Sequence, residues 1–317
     1  MKAVFLDFDT MGSGLDLEPL KNVTPDLVVY DVTGNEQIEA RIRDADIIFT
    51  NKIRLSDTLL AAAKKLKFIG LTATGTDNID IETARKNGIA VANIRGYCTE
   101  SVVEHVFGVL LMLTHSLAGF RQSVRAGDWQ SSDDPFLLVH PVRELSAMTM
   151  GIVGFGALGQ GVARIAPAFG MNVMISARPD GSTPADNRVA FDDVLDQADV
   201  ISLHCPLNDA TRKLFGARQF QRMKKSAILI NTARGGLVDS AALADALRSG
   251  EIAAAAVDVL PKEPPIDGDP LLDYEGENLI VTPHIAWATN EARQNAINEL
   301  AANARAFLAG EERNRVV

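Results

Sequence analysis

Six residues, Gly154-Phe-Gly156-Ala-Leu-Gly159, restrict what this chain can fold into more than any others. They stand between an apolar run, Met148 to Val153, and an amphipathic segment, Gln160 to Gly170. Strand, tight glycine turn and helix in that order form a βα unit, and such units build parallel sheets. The same alternation runs along the whole sequence. Strand-like runs cover 2–7, 27–31, 46–52, 68–73 and 90–93, then 148–156, 172–176, 200–206, 227–233, 254–259 and 279–286. Amphipathic runs at 36–45, 57–66 and 80–88 separate the early strands, and Gly88 closes the last of these as a helix-ending glycine. The pattern predicts an α/β fold with two doubly wound, parallel-sheet domains. Pro167, late in the helix after the glycines, is expected to loosen its last turns.

At 317 residues the chain has length for about two domains. With 47% hydrophobic and 23% charged residues, its composition is that of an ordinary globular protein. The segment 101–124 is apolar around most of a helical circumference, which predicts one long buried helix. That helix and the polar arm after it, 126–140, suggest a face shared with a second copy, hence a homodimer. A final amphipathic helix is expected at about 289–309.

A net charge of −10 without any basic run argues against a nucleic-acid partner. No apolar run has membrane-spanning length, and the first residues lack the cleavage signature of a secretory leader, so no membrane partner is expected. Cys98 and Cys205 cannot form a disulfide framework, which favours a reducing cytoplasm. No cluster with metal-ligand spacing is evident, and no metal is expected.

Within the glycine segment, Gly154 makes the tight turn, Gly156 lets backbone approach a pyrophosphate, and Gly159 packs helix on strand. The bland alternative is a βα turn without a ligand. In dinucleotide folds an acidic residue near the end of the next strand holds the adenosine ribose of NAD. Here that place holds Ala177, followed by Arg178. Without the carboxylate, and with a guanidinium beside it, a 2′-phosphate is favoured, so the expectation is NADP(H), with NAD(H) kept open if Arg178 merely stacks on adenine.

The run Ile228-Leu-Ile-Asn-Thr-Ala-Arg234-Gly-Gly carries a strand into one arginine and two glycines. Ligands in open parallel sheets bind at the carboxyl ends of the strands, and an arginine fork there matches a carboxylate. A surface arginine on a turn is the alternative.

Several blocks together resemble the D-isomer-specific 2-hydroxyacid dehydrogenases, within them the glycerate dehydrogenase/hydroxypyruvate (glyoxylate) reductase branch. They are TGTDNIDIETARKNGI (74–89), SVVEHVFGVLL (101–111), GIVGFGALGQ (151–160), ADVISLHCPLNDAT (198–211), MKKSAILINTARGGLVD (223–239), AVDVLPKEPP (256–265) and TPHIAW (282–287). The resemblance implies a flavodoxin-like substrate domain, 1–98 plus 287–317, and an NAD(P)-binding domain, 99–286, with an interdomain cleft. It implies that Arg234 grips the substrate carboxylate, that His284 is the general acid–base, and that Glu263 pairs with that histidine. Thr74, Gly75 and Lys52 then belong to the substrate side. Ala157 and Leu158 lie over the pyrophosphate, Cys205 and Pro206 beside the adenosine, and His204 and Thr211 are further cofactor-binding positions. Thr232 and Ala233 line the nicotinamide half, Asp258 hydrogen-bonds the carboxamide, and Arg234, His284 and Ala286 also bind the cofactor. Trp287 matches an aromatic that shapes substrate size, and Cys205 is a wall residue because no base flanks it. His105, His115 and His140 are expected to be structural. The implied reaction is hydride transfer to a small 2-keto acid, with histidine supplying the proton.

Two other readings compete. One is a non-catalytic, corepressor-like protein that uses NAD(H) as a structural ligand; the sequence shows no basic or disordered tail to favour it. The other is a phosphoglycerate-type dehydrogenase, which needs extra cations for a phosphate and often a further regulatory domain.

Overall fold

The computed structural model describes residues 1–179 and 187–317. The chain divides into two compact units, Met1–Cys98 with Ala288–Val317, and Thr99–Trp287.

The first unit is built on five strands: β1 (Lys2–Phe5), β2 (Asp26–Val29), β3 (Ile47–Thr50), β4 (Phe68–Leu71) and β5 (Ala90–Ala92). All pairings are parallel and the order is β2-β1-β3-β4-β5, the flavodoxin-like order. The inner strands β3 and β4 are buried at every position because both faces of the sheet are covered. Helices α1 (Glu18–Lys21), α2 (Asn35–Ile42), α3 (Asp57–Ala62) and α4 (Ile81–Lys86) connect them. Ser56 Oγ caps α3 through the Leu59 amide and Asp80 caps α4 through the Thr83 amide. Gly88, at φ 67°, turns the chain out of α4.

The second unit begins with α5 (Thr99–Thr114) and α6 (Leu117–Ala126). The single helix expected over 101–124 is therefore two. Ser116 sits at φ 47°, its hydroxyl donates to Pro141 O at 2.7 Å, and the Arg143 amide donates to Thr114 O at 2.8 Å. The returning arm thus captures a carbonyl that a continuous helix would have used, and the axis bends by 51°. Among the described residues no single helix is long and apolar enough to cross a membrane; α5 and α6 meet that measure only as a bent pair.

Six parallel strands follow: β6 (Thr149–Val153), β7 (Asn172–Ile175), β8 (Val200–Leu203), β9 (Ile228–Asn231), β10 (Ala254–Val257) and β11 (Leu279–Val281). Their order is β11-β10-β9-β8-β6-β7. Helices α7 (Ala157–Ile165), α8 (Phe191–Gln197), α9 (Ala217–Arg222) and α10 (Ser240–Ser249) cover this sheet, and α7 tightens into a 3₁₀ turn at Ala166–Phe169 around Pro167. The last helix, α11 (Asn290–Leu308), returns to the first unit. There Leu300 lies over Gly70 of β4, and Phe307 stacks on Phe68 with centroids 4.7 Å apart.

Candidate active site

In the second sheet the strand order reverses between β6 and β8, and a ligand crevice forms outside the carboxyl ends at such a point. Gly154 leaves β6 at φ 97°, and a Cβ there would stand 2.4 Å from the Cys205 amide nitrogen. Only glycine lets the turn pass this close to the exit of β8. Gly156 differs, since a Cβ there would meet nothing within 4 Å. The space beside it lies open at the N-terminus of α7, where Ala157 and Leu158 follow and Gly159 is buried against the Gly154 carbonyl.

His204 and Thr232 leave the neighbouring strands β8 and β9 one residue beyond the paired Leu203 and Asn231. His204 Nε2 lies 2.8 Å from Ser202 Oγ, whereas His204 Nδ1 and Thr232 Oγ1 are buried without a partner. Burial pushes the His204 pKa down to about 4, so the ring is neutral at ordinary pH. Buried polar atoms are normally satisfied, and two orphans on adjacent strand ends fit a ligand that completes them. An open glycine cradle at a helix N-terminus with orphaned polar atoms nearby fits a dinucleotide.

Burial raises the Cys205 thiol to about 11, which suits a wall residue. Pro206 is exposed, and Thr211 closes the turn after it, its hydroxyl donating to Pro206 O at 2.7 Å. Ala177 is buried at the end of β7 and Arg178 is exposed. Arg188 was not expected here. Its guanidinium lies 4.8 Å from the ring of Phe155, between the first two glycines, and donates to Ser176 O. No sequence spacing signalled that contact.

Arg234, Glu263 and His284 line one cavity of about 180 Å³, with Leu207, Gly235, Gly236, Val259, Leu260 and Pro261. His284 Nδ1 lies 2.6 Å from Glu263 Oε2, and the other carboxylate oxygen accepts from the Leu260 amide at 2.8 Å. Glu263 is thereby held by its own loop while it orients the ring. His284 sits at φ 57°, a backbone conformation in which non-glycine residues cluster at functional sites. Asp258 braces that loop from below. It is buried, and its carboxylate accepts from the Thr282 hydroxyl and from the Ile285 and Ala286 amides, both at 2.9 Å.

Arg234 is brought to the cavity by two close approaches. A Cβ on Gly235 would stand 2.0 Å from the Leu260 carbonyl carbon, so the loop after β9 can press on the loop after β10 only with glycine there. Asn231, unassigned in the sequence, donates from Nδ2 to Arg234 O at 3.0 Å and accepts at Oδ1 from the Ala233 amide at 3.1 Å. One guanidinium nitrogen, Nη1, donates to Ala233 O at 2.8 Å, and the rest of the fork is left to the cavity.

Thr74, Gly75 and Lys52 belong to the first unit, at the carboxyl ends of β4 and β3. Thr74 Oγ1 donates to Ile94 O at 3.1 Å, and Asn93 Nδ2 donates to Thr74 O at 2.6 Å. Trp287 is half-buried, next to buried Ala286, whose carbonyl accepts from Ser101 Oγ at 2.6 Å. Among the described residues no group of His, Cys, Asp and Glu is placed to hold a metal ion.

The family model for the NAD binding domain of D-isomer specific 2-hydroxyacid dehydrogenases matches residues 107–286. The chain belongs to that family. It is 42% identical over 316 residues to a glycerate dehydrogenase of Methylorubrum extorquens, covering 99% of this chain and 98% of the relative. To a hydroxypyruvate reductase of Blautia hydrogenotrophica it is 37% identical, covering 100% of this chain and 99% of the relative. The structure of a D-lactate dehydrogenase from Aquifex aeolicus, complexed with NAD and lactic acid, superposes with a TM-score of 0.82 at 29% identity, covering 98% and 96%. This dehydrogenase is thus an oxidoreductase acting on 2-hydroxy acids with a nicotinamide cofactor.

Proposed function

We propose that this dehydrogenase is a glycerate dehydrogenase/hydroxypyruvate–glyoxylate reductase that favours NADP(H) over NAD(H). The observation carrying the catalytic part is the cavity shared by Arg234, Glu263 and His284, with the imidazole hydrogen-bonded to the carboxylate at 2.6 Å. Its volume of about 180 Å³ suits a small acid, and the names of the two relatives above support hydroxypyruvate as that acid.

In this reading the Arg234 fork binds the 2-keto acid through its carboxylate and fixes the carbonyl beside His284. Glu263 holds Nδ1–H, which leaves Nε2 as the nitrogen that gives a proton to the carbonyl oxygen on reduction and takes it back on oxidation. Arg234 and protonated His284 together stabilise negative charge developing on that oxygen. The nicotinamide, when bound, supplies or accepts the hydride. Thr74, Gly75 and Lys52 serve the substrate side. Gly154, Gly156, Ala157, Leu158 and Gly159 hold the pyrophosphate, and His204, Cys205, Pro206 and Thr211 line the adenosine side. Thr232, Ala233, Asp258 and Ala286 hold the nicotinamide half.

Preference for NADP(H) rests on Ala177 standing where an acid would repel a 2′-phosphate, with Arg178 next to it and Arg188 nearby over Phe155. We also propose a homodimer. Phe136 and Leu138 on the arm after α6 are 74% and 85% exposed, and Trp129, Val139 and Val142 are exposed with them. The two free cysteines support a cytoplasmic location.

The direct test follows NADPH and NADH oxidation at 340 nm with hydroxypyruvate, glyoxylate and pyruvate. Hydroxypyruvate or glyoxylate with NADPH should give the highest kcat/KM, and His284→Ala should lower it by at least about a thousandfold while cofactor still binds. Undiminished turnover in that variant refutes the assignment of His284. A clear preference for NADH refutes the cofactor choice, and a monomeric mass in light scattering refutes the dimer.

A further inference from the structure

We infer that Asn231 is the positioning residue that sets the grip of Arg234 on the substrate carboxylate; the inference rests on reading Arg234 as that anchor. Asn231 is fully buried, at 0% exposure, in the last position of β9. Its backbone already serves the sheet, in register with Leu203 on one side and Val257 on the other, with its carbonyl accepting from the Asp258 amide at 2.9 Å. The side chain adds nothing to that ladder. Both ends of its amide go to the next three residues, Oδ1 to the Ala233 amide and Nδ2 to the Arg234 carbonyl.

The loop therefore wraps around one buried amide. The guanidinium closes on the same turn through the Ala233 carbonyl, so the base of the arginine and one of its donors are tied to a common anchor. A carboxamide is suited to this work because it offers an acceptor and a donor in one plane. Alanine supplies neither, and aspartate supplies only the acceptor. A shift of about 1 Å in a substrate clamp costs on the order of a hundredfold in rate.

The test compares N231A and N231D with the wild-type enzyme, using hydroxypyruvate and NADPH. In N231A the KM for hydroxypyruvate should rise by about tenfold or more, and by clearly more than the KM for NADPH, whose nicotinamide half meets the same turn through Thr232 and Ala233. An unchanged hydroxypyruvate KM, or an equal rise in both constants, overturns the inference. Where N231A fails to fold, N231D carries the test, since it keeps volume and acceptor. At pH 8 its ionised carboxylate faces the Arg234 carbonyl and the hydroxypyruvate KM should be raised. Towards pH 6 a buried carboxyl takes up a proton and becomes a donor, and the ratio to wild type should narrow. A KM equal to that of the wild type across this range overturns the inference as well. Inactivity of the wild-type enzyme towards every 2-keto acid instead removes the functional reading itself, so the two failures are distinguishable.

Discussion

The two sheets share a winding but treat the point where it reverses in opposite ways. In the first unit the reversal lies between β1 and β3, and the chain fills that place itself. The buried carboxylate of Asp7 accepts from Thr50 Oγ1 at 3.0 Å and from the amides of Asn51, Lys52 and Ile53 at 2.9, 2.6 and 3.2 Å. Three successive amides that would suit a bound anion are taken by an internal one. In the second unit, Gly154 and Gly156 put no side chain between β6 and β8, and His204 Nδ1 is left without a partner. One topology gives a self-sealed crevice and an open one, and the residues just past the first strand decide which. Fold alone does not assign a ligand site.

The largest expected effect that tests this contrast is on cofactor affinity. Gly156→Val adds bulk where no protein atom lies within 4 Å, so melting temperature should hold while NADPH affinity falls by about a hundredfold, read by fluorescence titration. Unchanged affinity would mean that the open crevice is not where the cofactor lies. Next comes the sealed crevice. Asp7→Ala removes the shared acceptor of the buried Asn51 amide and the part-buried Lys52 amide, leaving the Ile53 amide only Thr50 Oγ1, and should cost the first unit about 2–4 kcal/mol in urea unfolding, with the affinity of the second unit for NADPH preserved. A fully stable variant would show that the seal is dispensable.

A smaller effect concerns pH. The folded pKa of His204, about 4, lies below the ordinary 6.5, so protonation favours unfolding. The contribution of this group to stability is complete above about pH 6.5 and is lost as pH falls towards 4. His204→Gln should flatten that part of the melting profile, and an identical slope would reject the buried, neutral ring. The smallest effect is chemical: with a pKa near 11, Cys205 should alkylate slowly at pH 8, and rapid labelling by iodoacetamide would contradict it.

Much of this was legible in the sequence where the signal is local. Strand runs, the glycine turn and the strand that runs into Arg234 could each be read from their own neighbours, whereas Glu263 and His284 were marked only by the resemblance of their segments to the family. What escaped depends on contacts between distant segments or, at Asn231, on a side chain that turns to its own loop. The bend at Ser116 is set by an arm that returns more than twenty residues later, and nothing in the apolar pattern of 101–124 announces it. Asp7 reads as one acid after a strand until β3 brings three amides to it. Asn231 sits inside a run read as apolar strand, where a buried amide acts through the loop ahead of it. Arg188 lies far from the glycine turn in sequence and meets Phe155 only through folding.

The route of the chain between units has a consequence for its birth on the ribosome. The second unit is one uninterrupted stretch, Thr99–Trp287, whereas the first must wait for α11, the last long element to be made. Until then the side of β4 that Leu300 and Phe307 later cover stays without its partners. Vectorial synthesis therefore completes the later-encoded half before the earlier one, and nascent chains stalled on an unstructured linker that carries residue 287 clear of the ribosome should resist protease in that half while their first hundred residues are cut.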